Sequence, residues 1–183
     1  MRGSHFNKYK MNFKDYYNRE KPTVYVDMDG VLCDFKNPIT KALGKISYDE
    51  VTQEDVNEYF KTNDVKDFFA SLPKYPYADF LLRFITNKVG KYNICSRPME
   101  EYPKPTIEGK NIWIDRELKE KPEQRIFTFN KEEYAMENSK PNILIDDWYK
   151  NIDAWEKAGG IAIQYDADED SMEDLIERLK KYL

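Results

Sequence analysis

The sequence predicts an α/β fold in which helices cover both faces of a mostly parallel sheet. Short apolar β-runs alternate with segments of helical pattern along the 183 residues, and this alternation is typical of parallel sheets. Polar side chains follow four of these strands: Asp27, Ser96, Lys131 and Asp146. Since the carboxyl ends of parallel strands form one edge, where open α/β sheets bind ligands, the sequence also predicts a functional site there.

The first strand carries the most informative pattern. Val24–Val26 are residues that a buried strand favours. Asp27 and Asp29 follow at spacing i, i+2, and Gly30 allows a sharp turn directly after them. An Asp-x-Asp-Gly sequence is also an ordinary turn, but the polar residues at the other strand ends favour a site. We expect both carboxylates to project into one crevice.

The next segments are predicted to be helical. Residues 37–75 contain irregularly spaced apolar positions among charges and break signals, which indicates an insertion of short helices. The apolar spacing over 79–88 predicts a longer helix that ends near Gly90, at a typical C-cap position. Residues 98–105 are rich in proline and are predicted to be a loop.

The rest of the chain continues the alternation. Strands are predicted over 91–95, 125–129, 142–145 and 161–164, and helices over 108–118, 148–158 and 171–183.

Composition restricts the class of protein. The chain has 29 basic and 34 acidic residues, a formal charge of −5, and no long basic run, so no extended nucleic-acid surface is expected. A small anionic substrate would then need a local metal ion or lysine. Cys33 and Cys95 are the two cysteines, which suits a reducing, cytoplasmic location, and no apolar run predicts a membrane span. His5 lies in an opening segment that resembles an expression leader, and residues 1–20 are predicted to be an extension.

Four motifs make the chain similar to the haloacid dehalogenase (HAD) superfamily of phosphohydrolases, and within it to the 5′(3′)-deoxyribonucleotidases. In order they are Asp27–Phe35, Ile94–Pro98, Lys131 and Leu144–Asp147. The resemblance implies a Rossmann-like catalytic core over 21–36 and 76–183, and a small helical cap over 37–75.

The resemblance also implies a Mg²⁺-dependent phosphatase that acts on deoxyribonucleoside monophosphates. Asp27 would be the nucleophile that forms an aspartyl-phosphate, and Asp29 the general acid and then base. Ser96 and Lys131 would bind the phosphate. Lys140 is a second candidate for the motif lysine, but Lys131 directly follows a predicted strand, as the family's lysine does.

Magnesium would be held by Asp27, Asp146 and the backbone carbonyl of Asp29, since a hard cation takes oxygen ligands. Asp147 is expected to assist from outside the direct ligands or through water. Two adjacent acids at a buried strand end are costly unless a cation accompanies them. Asp146 and Asp147 could also cap the helix that follows, a role compatible with metal binding.

Substrate selection is assigned to the cap, and three departures from the family pattern bear on the substrate preference but not on the phosphatase chemistry. Phe35, Phe68 and Phe69 would face the base, although one of the Phe68–Phe69 pair is equally well explained by packing inside the cap. Family members commonly have arginine at the positions of Phe129 and Trp148. The departures include Arg97, which would contact the phosphate from a different direction.

The expected partner is a small nucleoside monophosphate, with no membrane and no extended nucleic acid, and homodimers are common in the family. Two rival functions stay open. One is a phosphatase for another small phosphomonoester or for a nucleic-acid 3′-phosphate. The other is a non-catalytic module that binds nucleotide or metal. The presence of both Asp27 and Asp29 argues against that module, because a binder has no need of an acid–base carboxylate.

Overall fold

A computed structural model of the chain describes residues 21–183. The predicted extension over residues 1–20, including His5, lies outside the described residues.

The described residues form the strands β1 (Val24–Val26), β2 (Asn93–Ser96), β3 (Gln124–Phe127), β4 (Met136–Glu137), β5 (Lys140–Pro141), β6 (Ile143–Asp146) and β7 (Ile161–Gln164). Five of them are parallel and form the central sheet, in the order β3-β2-β1-β6-β7. A separate antiparallel hairpin contains β4 and β5. The central strand β1 places Tyr25 between Asn93 of β2 and Leu144 of β6. The carboxyl ends of β1, β2 and β6 are therefore adjacent.

Seven α-helices surround or extend this sheet within residues 21–183. They are α1 (Lys36–Ala42), α2 (Gln53–Phe60), α3 (Val65–Ala70), α4 (Ala78–Val89), α5 (Pro103–Glu117), α6 (Tyr149–Lys157) and α7 (Met172–Leu179). None of the described helices is long and apolar enough to cross a membrane.

Side chains alternate between the two faces of the sheet, and each face has its own apolar cluster. On one face Trp155 of α6 packs against Tyr25, with ring centroids 5.4 Å apart. On the other face Val24 and Val26 belong to the larger cluster, to which α4, α5 and α7 contribute. The predicted α/β fold with helices on both faces is confirmed.

The predicted end of α4 is correct, whereas the predicted start of α5 is wrong. α4 ends at Gly90, whose φ of 88° is the left-handed C-cap conformation predicted for it. The loop prediction for residues 98–105 is wrong over its last three residues, because α5 begins at Pro103. Proline suits the first turn of a helix, where its missing N–H would have had no partner.

Helices α1–α3 lie in the segment predicted to be the cap. Its two connections to the core pair with each other: the Asp34 N–H donates to Pro73 O at 2.9 Å, and the Tyr75 N–H donates to Leu32 O at 3.0 Å. The cap also packs closely on α5 at Gly109. A Cβ added there would lie 2.8 Å from Phe69 Cβ and would overlap the Lys66 carbonyl oxygen. Glycine is thus required for this contact between cap and core.

Candidate active site

Three carboxylates meet at the carboxyl ends of β1 and β6. Asp27 directly follows β1, and its N–H donates to Ile145 O at 2.9 Å, which extends the strand pairing and sets Asp27 beside Asp146. One carboxylate oxygen from each of Asp27, Asp146 and Asp147 lies within 4.8 Å of the others. Asp27 and Asp146 are buried and Asp147 is partly exposed. Sheet register therefore concentrates negative charge at one point.

Lys131 supplies the positive charge at this point. Its Nζ lies 3.0 Å from Asp27 Oδ1 and 2.6 Å from Asp146 Oδ2, and the side chain is buried. Burial opposes the charged ammonium, but the charges of Asp146 and Asp27 outweigh it, so the pKa of Lys131 is raised. The alternative lysine, Lys140, lies in the exposed β4–β5 hairpin.

Two further donors orient Asp146. The Trp148 N–H donates to Asp146 Oδ1 at 2.9 Å, and Asn151 Nδ2 donates to the same oxygen at 3.0 Å. The carboxylate thus satisfies an N–H at the start of α6 while it faces Asp27. Burial raises the pKa of Asp146, and the charge of Lys131 opposes that rise.

Asp147 is held against the turn that follows β1. A Cβ added to Gly30 would overlap the Asp147 carboxylate, 2.5 Å from its Cγ, and Gly30 has a φ of 76°. Burial, followed by the charges of Asp27 and Asp146, raises the pKa of Asp147 to about 8, although the Lys36 ammonium at 3.6 Å opposes the shift. This carboxylate is destabilised in its ionised form.

The donor set fits a divalent cation. Asp27 Oδ1 is buried, and none of the described residues gives it a hydrogen bond of good geometry, although the Lys131 charge is close. An oxygen-rich group with excess negative charge is what Mg²⁺ binds. The sequence placed Asp147 outside the direct ligands, whereas the structure brings its carboxylate into the same group as Asp27 and Asp146.

A second buried lysine, Lys110, lies beside Asp29. Lys110 of α5 is fully buried, and its Nζ donates to Asp29 Oδ2 at 2.7 Å, to Ser96 Oγ at 2.8 Å and to Arg97 O at 2.9 Å. Asp29 and Ser96, which the sequence assigned to separate steps, are therefore joined by one ammonium group.

A cavity of about 650 Å³ opens beside these groups, with Asp27, Asp29 and Asp147 among its lining residues. Arg97 also lines it, with its guanidinium 5.2 Å from the Phe129 ring centroid and 5.4 Å from that of Trp148. The aromatic residues at the two positions where arginine was expected thus both contact the Arg97 guanidinium.

Phe35 and Phe69 line the same cavity and are stacked on each other, with centroids 5.8 Å apart. Phe68 does not belong to the cavity lining. It packs edge-to-face against Phe60 inside the cap, with centroids 5.1 Å apart. Of the predicted aromatic pair, one member faces the cavity and the other packs within the cap.

Comparisons with known proteins show a similarity of fold to solved structures. No family model matches the chain, and no curated protein matches it. Several solved structures do match, at low sequence identity. A hydrolase from Streptococcus pneumoniae TIGR4 aligns at TM-score 0.54 and 16% identity, over 87% of this chain and 99% of that one. A HAD-superfamily hydrolase from Ehrlichia chaffeensis aligns at TM-score 0.51 and 16% identity, over 88% and 98%. The chain has the HAD-like fold.

Another solved structure, a haloacid dehalogenase-like family hydrolase from Streptococcus pneumoniae, aligns at TM-score 0.50 and 13% identity, over 87% of this chain and 91% of that one. At these identities the structural alignments show a likeness of fold alone.

Sequence reasoning about this HAD-like fold missed Lys36, Lys110 and Asn151. Only Lys110 had a usable signal. It lies three and four residues before Trp113 and Ile114, which are buried on the same helix, and a lysine at this spacing lies on the apolar stripe. Lys36 and Asn151 reach the site only through the packing of their helices.

Proposed function

We propose that this protein is a Mg²⁺-dependent phosphatase that hydrolyses deoxyribonucleoside 5′(3′)-monophosphates to a deoxynucleoside and phosphate. The observation that carries the proposal is the group formed by the carboxylates of Asp27, Asp146 and Asp147. Lys131 forms ion pairs with the first two. Asp27 and Asp147 line a cavity that Asp29 also lines. A nucleophile, an acid and a cation site are thus adjacent.

Asp27, Asp146 and the backbone carbonyl of Asp29 would hold the metal, with the carboxylate of Asp147 beside them. When bound, Mg²⁺ supplies positive charge that allows a phosphate dianion to approach a carboxylate nucleophile. Lys131 holds the Asp27 and Asp146 carboxylates in place through its two short ion pairs.

In the proposed reaction an oxygen of Asp27 attacks phosphorus, and the bond from phosphorus to the nucleoside oxygen breaks. Asp29 donates a proton to that oxygen as it leaves. Water then attacks the phosphorus of the aspartyl-phosphate while Asp29 takes its proton, so that phosphate leaves and both carboxyl groups are restored. Asp29 suits this exchange because its side chain is partly open to the cavity.

Phosphate recognition is assigned to Ser96, Lys131 and Arg97. The Arg97 guanidinium forms an ion pair with Glu100, and the rings of Phe129 and Trp148 lie 5.2 and 5.4 Å from it. A phosphate could replace the Glu100 carboxylate, because a planar guanidinium binds either anion with the same paired geometry.

The cavity suits a nucleoside monophosphate in size and lining. Its volume of about 650 Å³ lies within the usual range for small-molecule sites. Phe35 and Phe69 offer an apolar wall, on which a ribose 2′-hydroxyl would lose a hydrogen bond worth about 1–3 kcal/mol. Cys33 and Cys95 are both buried and free, which supports a cytoplasmic location.

The test is phosphate release from a panel of deoxyribonucleoside and ribonucleoside monophosphates and sugar phosphates, with Mg²⁺ or EDTA. Asp27→Asn is the blank, and Asp29→Asn should sharply reduce turnover while it spares metal binding. Mg²⁺-dependent release that favours deoxynucleotides supports the proposal. Release only from other phosphoesters would replace the substrate class, and no release from any compound would favour a binding module.

A further inference from the structure

Lys110 contacts the site but has no role in the proposed reaction. The side chain is fully buried, yet it carries an ammonium group, and burying an unpaired charge costs several kcal/mol. All three ammonium donors are engaged, by Asp29 Oδ2, Ser96 Oγ and Arg97 O. All three hydrogen-bond acceptors of the ammonium group thus lie at or just after the carboxyl ends of β1 and β2.

The helix that carries Lys110 is held in place by the cap. Gly109 lets α5 approach the backbone of α3, and the Lys110 Nζ lies 5.4 Å from the centroid of the Phe69 ring. Phe69 lines the cavity. Lys110 therefore lies between the cap and the acid–base carboxylate, with its direction set by the packing of α5.

Asp29 depends on this contact for its orientation. Its side chain is 28% exposed, and among the described residues the other side-chain hydrogen bond to its carboxylate comes from Cys33 Sγ, to Oδ1 at the long distance of 3.5 Å. A thiol is a weak donor. Without Lys110, the Asp29 carboxylate would be free to rotate in the cavity.

We propose that Lys110 is a positioning residue that holds the Asp29 carboxylate in the direction of the leaving oxygen. The inference rests on the proposed phosphatase function and adds a residue to it. Misplacing a general acid removes most of its contribution, which is typically about 10²- to 10⁴-fold in rate. Lys110 thus acts through Asp29 and does not exchange a proton with the substrate.

The first test compares two leaving groups with Lys110→Met, which keeps the length of the side chain and removes its charge. Thymidine 5′-monophosphate needs a proton on its leaving alkoxide, whereas p-nitrophenyl phosphate releases a stable phenolate without one. We expect kcat to fall about 30-fold or more for the nucleotide and less than about 5-fold for the aryl ester. Equal losses on both substrates, or no loss on either, would overturn the inference.

The second test is a double-mutant comparison on thymidine 5′-monophosphate alone. If Lys110 acts through Asp29, adding Lys110→Met to Asp29→Asn should change kcat by less than about 3-fold, a bound set by the usual additivity error of such cycles. Multiplied losses would show that Lys110 works independently of Asp29. The matched control is Lys104→Met, which replaces an exposed lysine earlier on α5. This variant should retain wild-type kcat.

Circular dichroism and thermal unfolding with Mg²⁺ establish that each variant is folded. If Lys110→Met does not fold, Lys110→Gln keeps a donor without the charge, and the same two comparisons apply to it. A wild-type protein inactive on p-nitrophenyl phosphate and on every phosphoester of the panel above would refute the phosphatase and this inference together. An active wild type with equal losses in the variant would refute the inference alone.

Discussion

Replacing Asp147 by asparagine should stabilise the metal-free protein at pH 8 and leave its stability unchanged near pH 4. The reason is that the pKa of Asp147 rises from an ordinary value of 3.8 to about 8, through burial and the charges of Asp27 and Asp146. Between about pH 4 and pH 8 the folded state therefore keeps a proton on Asp147 that the unfolded state has released. Ionising this group in the fold is unfavourable, and asparagine removes that cost while preserving the shape.

The sign and size of the effect follow from linkage. A carboxyl whose pKa is raised by folding leaves stability intact below its unfolded pKa, and stability falls as the pH rises from about 4 to 8. A shift of about 4 units corresponds to about 5 kcal/mol at pH 8. Since the Asp147 side chain is 20% exposed, relaxation and solvent will screen part of this, and we expect a gain of about 2–4 kcal/mol.

The assay is urea unfolding in EDTA at pH 4.5, 6 and 8. The control is Asp153→Asn, which removes an exposed carboxylate of α6 and should change stability by less than about 0.5 kcal/mol. The reasoning is refuted if Asp147→Asn and the wild type have the same free energy of unfolding at pH 8. It is also refuted if their difference does not shrink as the pH falls.

Two further predictions concern Lys131 and Gly109. Lys131→Met leaves the buried carboxylates of Asp27 and Asp146 without their shared cation, so the free energy of unfolding in EDTA should fall by about 3–5 kcal/mol at pH 7. A fall of less than 1 kcal/mol in urea titrations would contradict this. Gly109→Ala forces a Cβ onto the Lys66 carbonyl oxygen and should lower the free energy of unfolding by about 1–3 kcal/mol in the same assay. An unchanged free energy of unfolding would contradict this and show that α3 moves away freely.

Controls for both variants come from exposed neighbours. Lys104→Met removes an exposed lysine from the first turn of α5, and Glu108→Ala changes the exposed residue before Gly109 on the same helix. Each should change the free energy of unfolding by less than about 0.5 kcal/mol.

Much of the fold could be predicted because its signals are local. The alternation of apolar runs with helical spacing depends on residues a few positions apart, and it predicted all five parallel strands and the helices that follow them. Boundaries were less secure. The start of α5 was missed because Pro103 and Pro105 resemble loop residues, although proline is well tolerated in a first turn.

The candidate site divides in the same way. Asp27, Asp29 and Asp146 could be assigned because they lie at strand ends: Asp27 directly follows β1, Asp29 comes two residues later, and Asp146 is the last residue of β6. Parallel pairing carries these strand ends to one edge. The preference for Lys131 over Lys140 came from chain order alone, and the structure adds the two ion pairs that distinguish Lys131.

The sequence by itself determined the alternating pattern, the acidic strand ends and therefore the edge of the sheet where a site would lie. Only the tertiary structure decided that Lys110 reaches Asp29 from 81 positions away, and that Phe129 and Trp148 both contact Arg97. These contacts depend on how α5 and the loops after β2, β3 and β6 pack together. Patterns within one segment carry no information about the distance between two segments, so such contacts follow from packing alone.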